Sequence, residues 1–339
     1  MEKLSNALPG YLGGKRRLAP VIFALLATRV SQSSWPQLTF VDPFLGGGSI
    51  GLLAKAYGFE VQCNDVAYRS ALVGHALIAN SSVTLSDADV ALLFREPEEA
   101  YPRMAEERFS PSVFSRGHAR FLDRSLHWAR SAAFPEAKRY LMELLLVRWA
   151  LRCQPMSQLR GTDARAAAEG DFDRVSPRRV GHYIDSLRLL QPQAVMTMAR
   201  QINAAVFPGR GSARQMDAVD FMSLIEGDVV YLDPPYPGTT SYENEYRALD
   251  LLLEGRALPP SRFSSHTEAL GELFQAATHI PTWLISLNNA VLTLDQLLEL
   301  IRPHRPEVRA VEVPYRHLGS IASEEKNETN REYIVLATA

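Results

Sequence analysis

The chain has 339 residues, 46% of them hydrophobic, and 36 Lys+Arg against 38 Asp+Glu leave a formal net charge of −2. That much apolar material excludes disorder as the dominant state and suits one large domain or two. No uncharged apolar run approaches the ~18–20 residues needed to span a bilayer, and no apolar signal region follows Met1-Glu2-Lys3-Leu4-Ser5, which argues for a cytoplasmic protein.

Tyr11–Leu18 leads into an apolar stretch that predicts a helix over Ala19–Thr28. Leu38–Asp42 is a short apolar run that breaks into Gly46-Gly47-Gly48. A helical pattern follows over Ser49–Tyr57, with Ser49 as its cap. Phe59–Cys63 alternates like a second strand, ends at Asn64-Asp65, and precedes a helix from Ala67 to about Ala79. Strand, glycine turn, helix and strand predict a parallel α/β sheet. From Asp87 to Val206 the pattern predicts helices alone, over Ser115–Arg130, Ala137–Cys153, Ser176–Leu190 and Gln193–Val206, with Gly161–Asp173 a polar loop or short helix. Strand character resumes weakly at Gln215–Phe221 and strongly at Asp228–Leu232 and Thr282–Leu287. Val308–Pro314 and Glu332–Thr338 predict a terminal antiparallel hairpin around the polar loop Gly319–Asn330. The expected architecture is a Rossmann-like α/β sheet, residues 1–84 and 212–339, interrupted by a helical insert over 85–211.

Three segments carry chemistry. Asp42-Pro43-Phe44-Leu45-Gly46-Gly47-Gly48-Ser49 lies between a strand and a helix. Glycines there allow a tight turn and close backbone approach to a ligand at a helix N-terminus. With Asp65 at the end of the next strand, the segment supports an adenosine-containing ligand, either a dinucleotide or S-adenosylmethionine. Asp233-Pro234-Pro235-Tyr236 directly follows a buried strand. Its prolines fix φ twice and remove two N–H donors. A carboxylate and a prolyl carbonyl held together form two acceptors, which suit an –NH₂ group, and Tyr236 offers a ring for a planar base. Lys15, Arg16 and Arg17 at a helix start oppose the helix dipole, a cost explained if they meet a carboxylate or phosphate. Cys63 and Cys153 lie far apart, so a disulfide framework and a cysteine zinc site are excluded. His266 and His317 have no ligand spacing and receive no role.

These segments together resemble the DNA adenine methylase class of amino-methylating DNA methyltransferases with the alpha order of motifs. The matching residues are Gly13-Gly14-Lys15, Pro43–Ser49, Asn64-Asp65, Val219-Asp220-Phe221 and Asp233–Tyr236. The resemblance implies S-adenosylmethionine as cofactor. Its methionine part would be held by Tyr11, Gly13 and Lys15 and by the loop of Asp42, Pro43, Phe44, Gly46, Gly48 and Ser49. Asp65 would bind the ribose, and Asp220 and Phe221 the cofactor adenine. Asp233, Pro234, Pro235 and Tyr236 would hold a flipped target adenine for N6 methylation. The family commonly has an asparagine where this chain has Ala67. Methylation of the cytosine amine, or an oxidoreductase built on the glycine loop, are the rival readings. Tyr242 and Tyr246 would line the base pocket or pack at i and i+4.

The near-zero total charge argues, at face value, against a nucleic-acid partner. Divided by region it does the opposite. Residues 108–215 hold 18 Lys+Arg and 8 Asp+Glu, a balance of +10, so the remainder carries −12. Arg116, Arg120, Arg124 and Arg130 recur at helical spacing, and Arg148, Arg152, Arg160, Arg174, Arg178 and Arg179 add to them. Arginine suits phosphates and guanine edges. Double-stranded DNA is the expected partner, gripped through Arg116, Arg120, Arg124, Arg160, Arg178 and Arg179, with a separate cognate restriction endonuclease as companion.

Overall fold

A computed structural model describes residues 2–11, 13–153, 173, 177–236, 245–265, 268–290, 292–314 and 330–339. The chain divides into two compact units, one of residues 11–74, 209–244 and 258–339, the other of residues 1–10, 75–208 and 245–257.

The first unit is built on a seven-stranded sheet in the order β3-β2-β1-β4-β5-β7-β6. The strands are β1 Thr39–Asp42, β2 Glu60–Asn64, β3 Gly211–Arg214, β4 Val229–Leu232, β5 Thr282–Asn288, β6 Glu307–Pro314 and β7 Arg331–Thr338. The first five in spatial order run parallel. β7 pairs antiparallel with β5 and with β6, so the expected terminal hairpin is present. This is a Rossmann-like sheet with a C-terminal antiparallel pair.

The pattern of burial explains the order. β4, β5 and β7 are buried along almost their whole length, as strands covered on both faces must be. β6 is the edge strand, with mostly exposed side chains. Its Glu307, Arg309 and Glu312 place charge there, where an open ladder invites unwanted pairing. One face of the sheet is sealed by Phe221, Phe274, Trp283 and Ile285. Elsewhere Phe23, Trp35, Phe40 and Phe59 form an aromatic cluster, with neighbouring ring centroids 5.2–5.9 Å apart.

Several boundaries differ from expectation. The predicted strand over Gln215–Phe221 is instead the short strand Gly211–Arg214 followed by a helix over Ala218–Met222. Asp217 decides this, because its carboxylate accepts from the amides of Val219 (2.8 Å) and Asp220 (3.4 Å) as an N-cap. Ser49 is not the cap of its helix. Gly48 is, at φ 78°, a left-handed conformation that glycine adopts without strain. The helix after Asp65 runs from Tyr68 to Val73 and then loosens into a π turn over Gly74–Ala79. A Cβ on Gly74 would lie 2.7 Å from Cys63 Sγ and 2.8 Å from Ala213 Cβ, so the chain packs directly onto β2 and β3. Of the polar loop expected between β6 and β7, all but Asn330 falls outside the described residues.

The second unit is helical, with no strand among the described residues. The expected helices are present as Arg116–Ser131, Glu136–Cys153, Pro177–Leu187 and Pro192–Asn203. It takes in more chain than the expected 85–211 insert, since residues 1–10 and 245–257 also belong to it. Its interior is stitched by polar side chains. Arg148, buried, donates to the carbonyls of Met198 (3.1 Å) and Asn6 and to Gln201 Oε1 (3.0 Å). Trp149 Nε1 donates to the Leu189 carbonyl at 2.8 Å.

Candidate functional site

The strand order reverses between β1 and β4, and in such sheets ligands bind beyond the carboxyl ends of the strands at that switch. Asp42 ends β1, Asn64 and Asp65 follow from β2, and Asp233 follows β4. All three acidic residues line one cavity of about 320 Å³, at the small end of ligand pockets.

The glycine loop forms one wall. Gly46 sits at φ 52°, in the left-handed region. Tyr11 covers the loop closely, and a Cβ on Gly47 would lie 2.7 Å from Tyr11 Cβ. Asp65 braces the same loop. Its Oδ2 accepts from the Gly46 amide at 2.8 Å and its Oδ1 from the Ala67 amide at 2.9 Å. Pro43, Phe44 and Ser49 also line the cavity. Gly48 supports the loop from behind as the helix cap.

Asp42 is 1% exposed and its Oδ1 has no hydrogen-bond partner. Burial, then the neighbouring Asp233 and Asp65 charges, push its carboxyl well above the usual range, against backbone N–H donors at Phe44 and Gly51. A buried, unsatisfied acceptor inside a cavity is costly unless a ligand or proton meets it. Three carboxyls converging on one cavity fit a cationic ligand carrying donors.

The opposite end is a buried polar network. Lys15 Nζ lies 2.9 Å from Asp233 Oδ1 and 3.4 Å from Glu332 Oε1, and donates to the Gly13 carbonyl at 3.0 Å. Tyr236 hydroxyl lies 3.0 Å from Asp233 Oδ1 and contacts Glu332 Oε1 closely. Burial raises the Asp233 carboxyl, Lys15 lowers it, and Glu332 raises it again. Burial and the two carboxylates push the Tyr236 phenol well above its ordinary value.

Residues 11–146 match the D12 class N6 adenine-specific DNA methyltransferase family. The match takes in 136 of the chain's 339 residues, all in its N-terminal half. It is similar to a Type II methyltransferase, M2.HphI of Haemophilus parahaemolyticus, at 24% identity over 96% of each chain. The cytosine and oxidoreductase readings are not favoured.

Several side chains sit differently from expectation. Lys15 lines the cavity and pairs with the protein's own carboxylates, one of the two kinds of anion expected for it, and it lies before the helix, which starts at Ala19. Tyr236 is 2% exposed, with Lys15 Nζ 4.8 Å from its ring centroid. The ring is covered, and its hydroxyl is the part that meets Asp233. Asp220 is exposed and Phe221 lies in the core, neither lining the cavity. The helix turn is the reason. It presents Asp217 and Ala218 to the cavity one turn earlier and carries Phe221 inward.

Sequence reasoning missed Glu332, Asp217, and the wall formed by Leu258–Phe263. In that wall Phe263 meets Phe44 edge-on at 5.1 Å, and Arg262 Nη2 donates to Asp217 Oδ1 at 2.8 Å. Two signals were readable: an acid opening the apolar run Glu332–Leu336, and an Asp two residues before a helical Val-Asp-Phe.

The arginines divide. Arg116 and Arg120 are exposed on their helix. Arg124 is tied down, with Nε donating to the Leu93 carbonyl at 3.1 Å and Nη1 3.3 Å from Glu96. Arg130 donates to Glu143 (3.2 Å) and the Leu253 carbonyl (2.7 Å). With Arg148 buried, the continuous cationic face expected from spacing is interrupted by three structural arginines. Arg160 and Arg174 lie outside the described residues, as do the side chains of Arg178 and Arg179. So do Tyr242, His266 and His317. Tyr246 is buried at the N-terminus of the helix Arg247–Glu254.

Proposed function

We propose that the enzyme transfers a methyl group from S-adenosylmethionine to the N6 amine of an adenine flipped out of double-stranded DNA. The observation that carries this reading is Asp233, held at the switch point facing the cavity, with its contacts from Lys15 and Tyr236 all on Oδ1. Among the described residues no hydrogen bond falls on Oδ2, which together with the Pro234 carbonyl supplies two acceptors for two amine hydrogens. When bound, S-adenosylmethionine supplies a methyl group on a positively charged sulfur. Tyr11, Asp42, the Phe44–Ser49 loop and Asp65 would hold it, and the acidic cavity favours its charge. The loop glycines admit it closely, and Asp217 with Phe263 forms the far wall.

Adenine's exocyclic amine is a weak nucleophile because its lone pair is delocalised into the ring. Acceptance of both hydrogens by Asp233 and Pro234 favours a pyramidal nitrogen with a freer lone pair. Prolines 234 and 235 keep those acceptors in place without competing donors. Orientation and electrostatics then carry the catalysis. The duplex must release the base, at ~a few kcal/mol. The exposed arginines of the helical unit are the grip on the backbone, and the similarity to a Type II methyltransferase supports a separate cognate endonuclease as companion. Transfer of labelled methyl groups to unmethylated DNA, followed by nucleoside analysis, tests the reading. N6-methyladenine formed by wild type and lost in Asp233→Asn is expected. Undiminished transfer by Asp233→Asn overturns the assignment.

A further inference from the structure

We propose that Glu332 is a positioning residue of the methyl-transfer site, fixing through Tyr236 and Lys15 which oxygen of Asp233 meets the substrate amine. The inference rests on the reading of Asp233 as the amine's acceptor. Glu332 is fully buried near the start of β7, paired with Asn288 of β5. Ile334 to Ala337 further along β7 are apolar, and an apolar residue would pack at 332 without the desolvation cost of a carboxylate. What the carboxylate does is hold two groups. Its Oε1 takes the Tyr236 hydroxyl and attracts Lys15 Nζ at 3.4 Å. Both of those groups also meet Asp233, and both meet it on Oδ1. Glu332 touches neither substrate nor Asp233 directly. It sets the place of Lys15 Nζ and the Tyr236 hydroxyl, whose contacts with Asp233 both fall on one oxygen and leave the other directed to the amine.

The network is also electrostatic. Asp233 is faced by Lys15, by Tyr236 and Glu332, by Tyr231 from β4 and by Asp42 from β1. Lys15 holds its carboxyl down and Glu332 pushes it up. Loss of the Glu332 charge must therefore move the protonation of Asp233 to lower pH, and loss of the Lys15 charge must move it to higher pH. A residue that merely fills the fold would produce neither shift.

The test is single-turnover methyl transfer by the full chain to unmethylated genomic DNA across pH, for wild type, Glu332→Gln, Lys15→Gln and Tyr236→Phe. Glu332→Gln should slow transfer about tenfold or more while KM for DNA and for S-adenosylmethionine stays within about twofold. Its acidic limb should move to lower pH, and that of Lys15→Gln to higher pH. Transfer slowed with the limb unmoved, or both limbs moving the same way, overturns the proposal. Should Glu332→Gln fail to fold by circular dichroism, Tyr236→Phe cuts the link and spares both carboxylates. It should slow transfer and raise the limb, and an unchanged rate and limb overturn the proposal. Asp233→Asn separates the two levels, since full transfer by that variant removes the underlying reading whatever Glu332 does.

Discussion

Asp42 closes β1 directly before the glycine loop and is buried there. Its place at a strand end before a glycine loop marks it as a site residue. That its Oδ1 is buried without a partner, beside two further carboxyls, follows only from the packed sheet. The consequence is a pH-dependent stability. Its folded carboxyl is raised above the unfolded value, so the penalty is absent below the ordinary carboxylate range and grows as pH rises from there towards the raised pKa. Asp42→Asn removes that titration. Thermal melts should show the variant gaining on wild type as pH rises through this window, while its S-adenosylmethionine affinity falls. A stability difference independent of pH would show that Asp42 is not the titrating group. Lys15 teaches the complementary lesson. Its motif was legible, but its partner Glu332 lies 317 positions further along the chain, and no local pattern reports that contact.

At the scale of elements, the strands were legible where burial is two-sided and the apolar run continuous, as in β4, β5 and β7. The stretch after Gly211 was not, because four residues of edge strand and five of helix each give too short a period to read. Asp217 resolves it by capping, and Asp217→Ala should therefore cost about 1 kcal/mol of stability in urea melts, as loss of an N-cap does. It should also weaken donor binding, because the Arg262 contact on the cavity wall goes with it. The glycine loop makes a sharper case. Gly47 gives way to no side chain while Tyr11 stays in place, so Gly47→Ala must displace Tyr11 from the cavity. A loss of S-adenosylmethionine affinity by about tenfold, read by calorimetry, is expected for a shift of this kind at a positioned site. Retained affinity would mean that Tyr11 does not close on the donor.

For the whole molecule, the relevant charge is not the −2 total but the +10 carried by residues 108–215. Composition by region exposes that asymmetry, yet spacing alone overstates the surface it makes. Arg116, Arg120 and Arg124 look equivalent at four-residue intervals, but the fold gives Arg124 to the Leu93 carbonyl and Glu96. Arg120 lies 3.8 Å from Glu106 with half its side chain exposed, and a pair of that kind holds an arginine weakly. The two residues free to meet phosphate should therefore differ from the third in kind. Each phosphate contact contributes about 0.9 to the slope of log affinity against log salt. Arg116→Ala and Arg120→Ala should each flatten that slope by about this amount in anisotropy titrations, with melting unchanged. Arg124→Ala should leave the slope alone and lower the melting temperature, because it strips a carbonyl of its donor. An Arg124→Ala slope as shallow as the other two would assign the whole face to DNA after all.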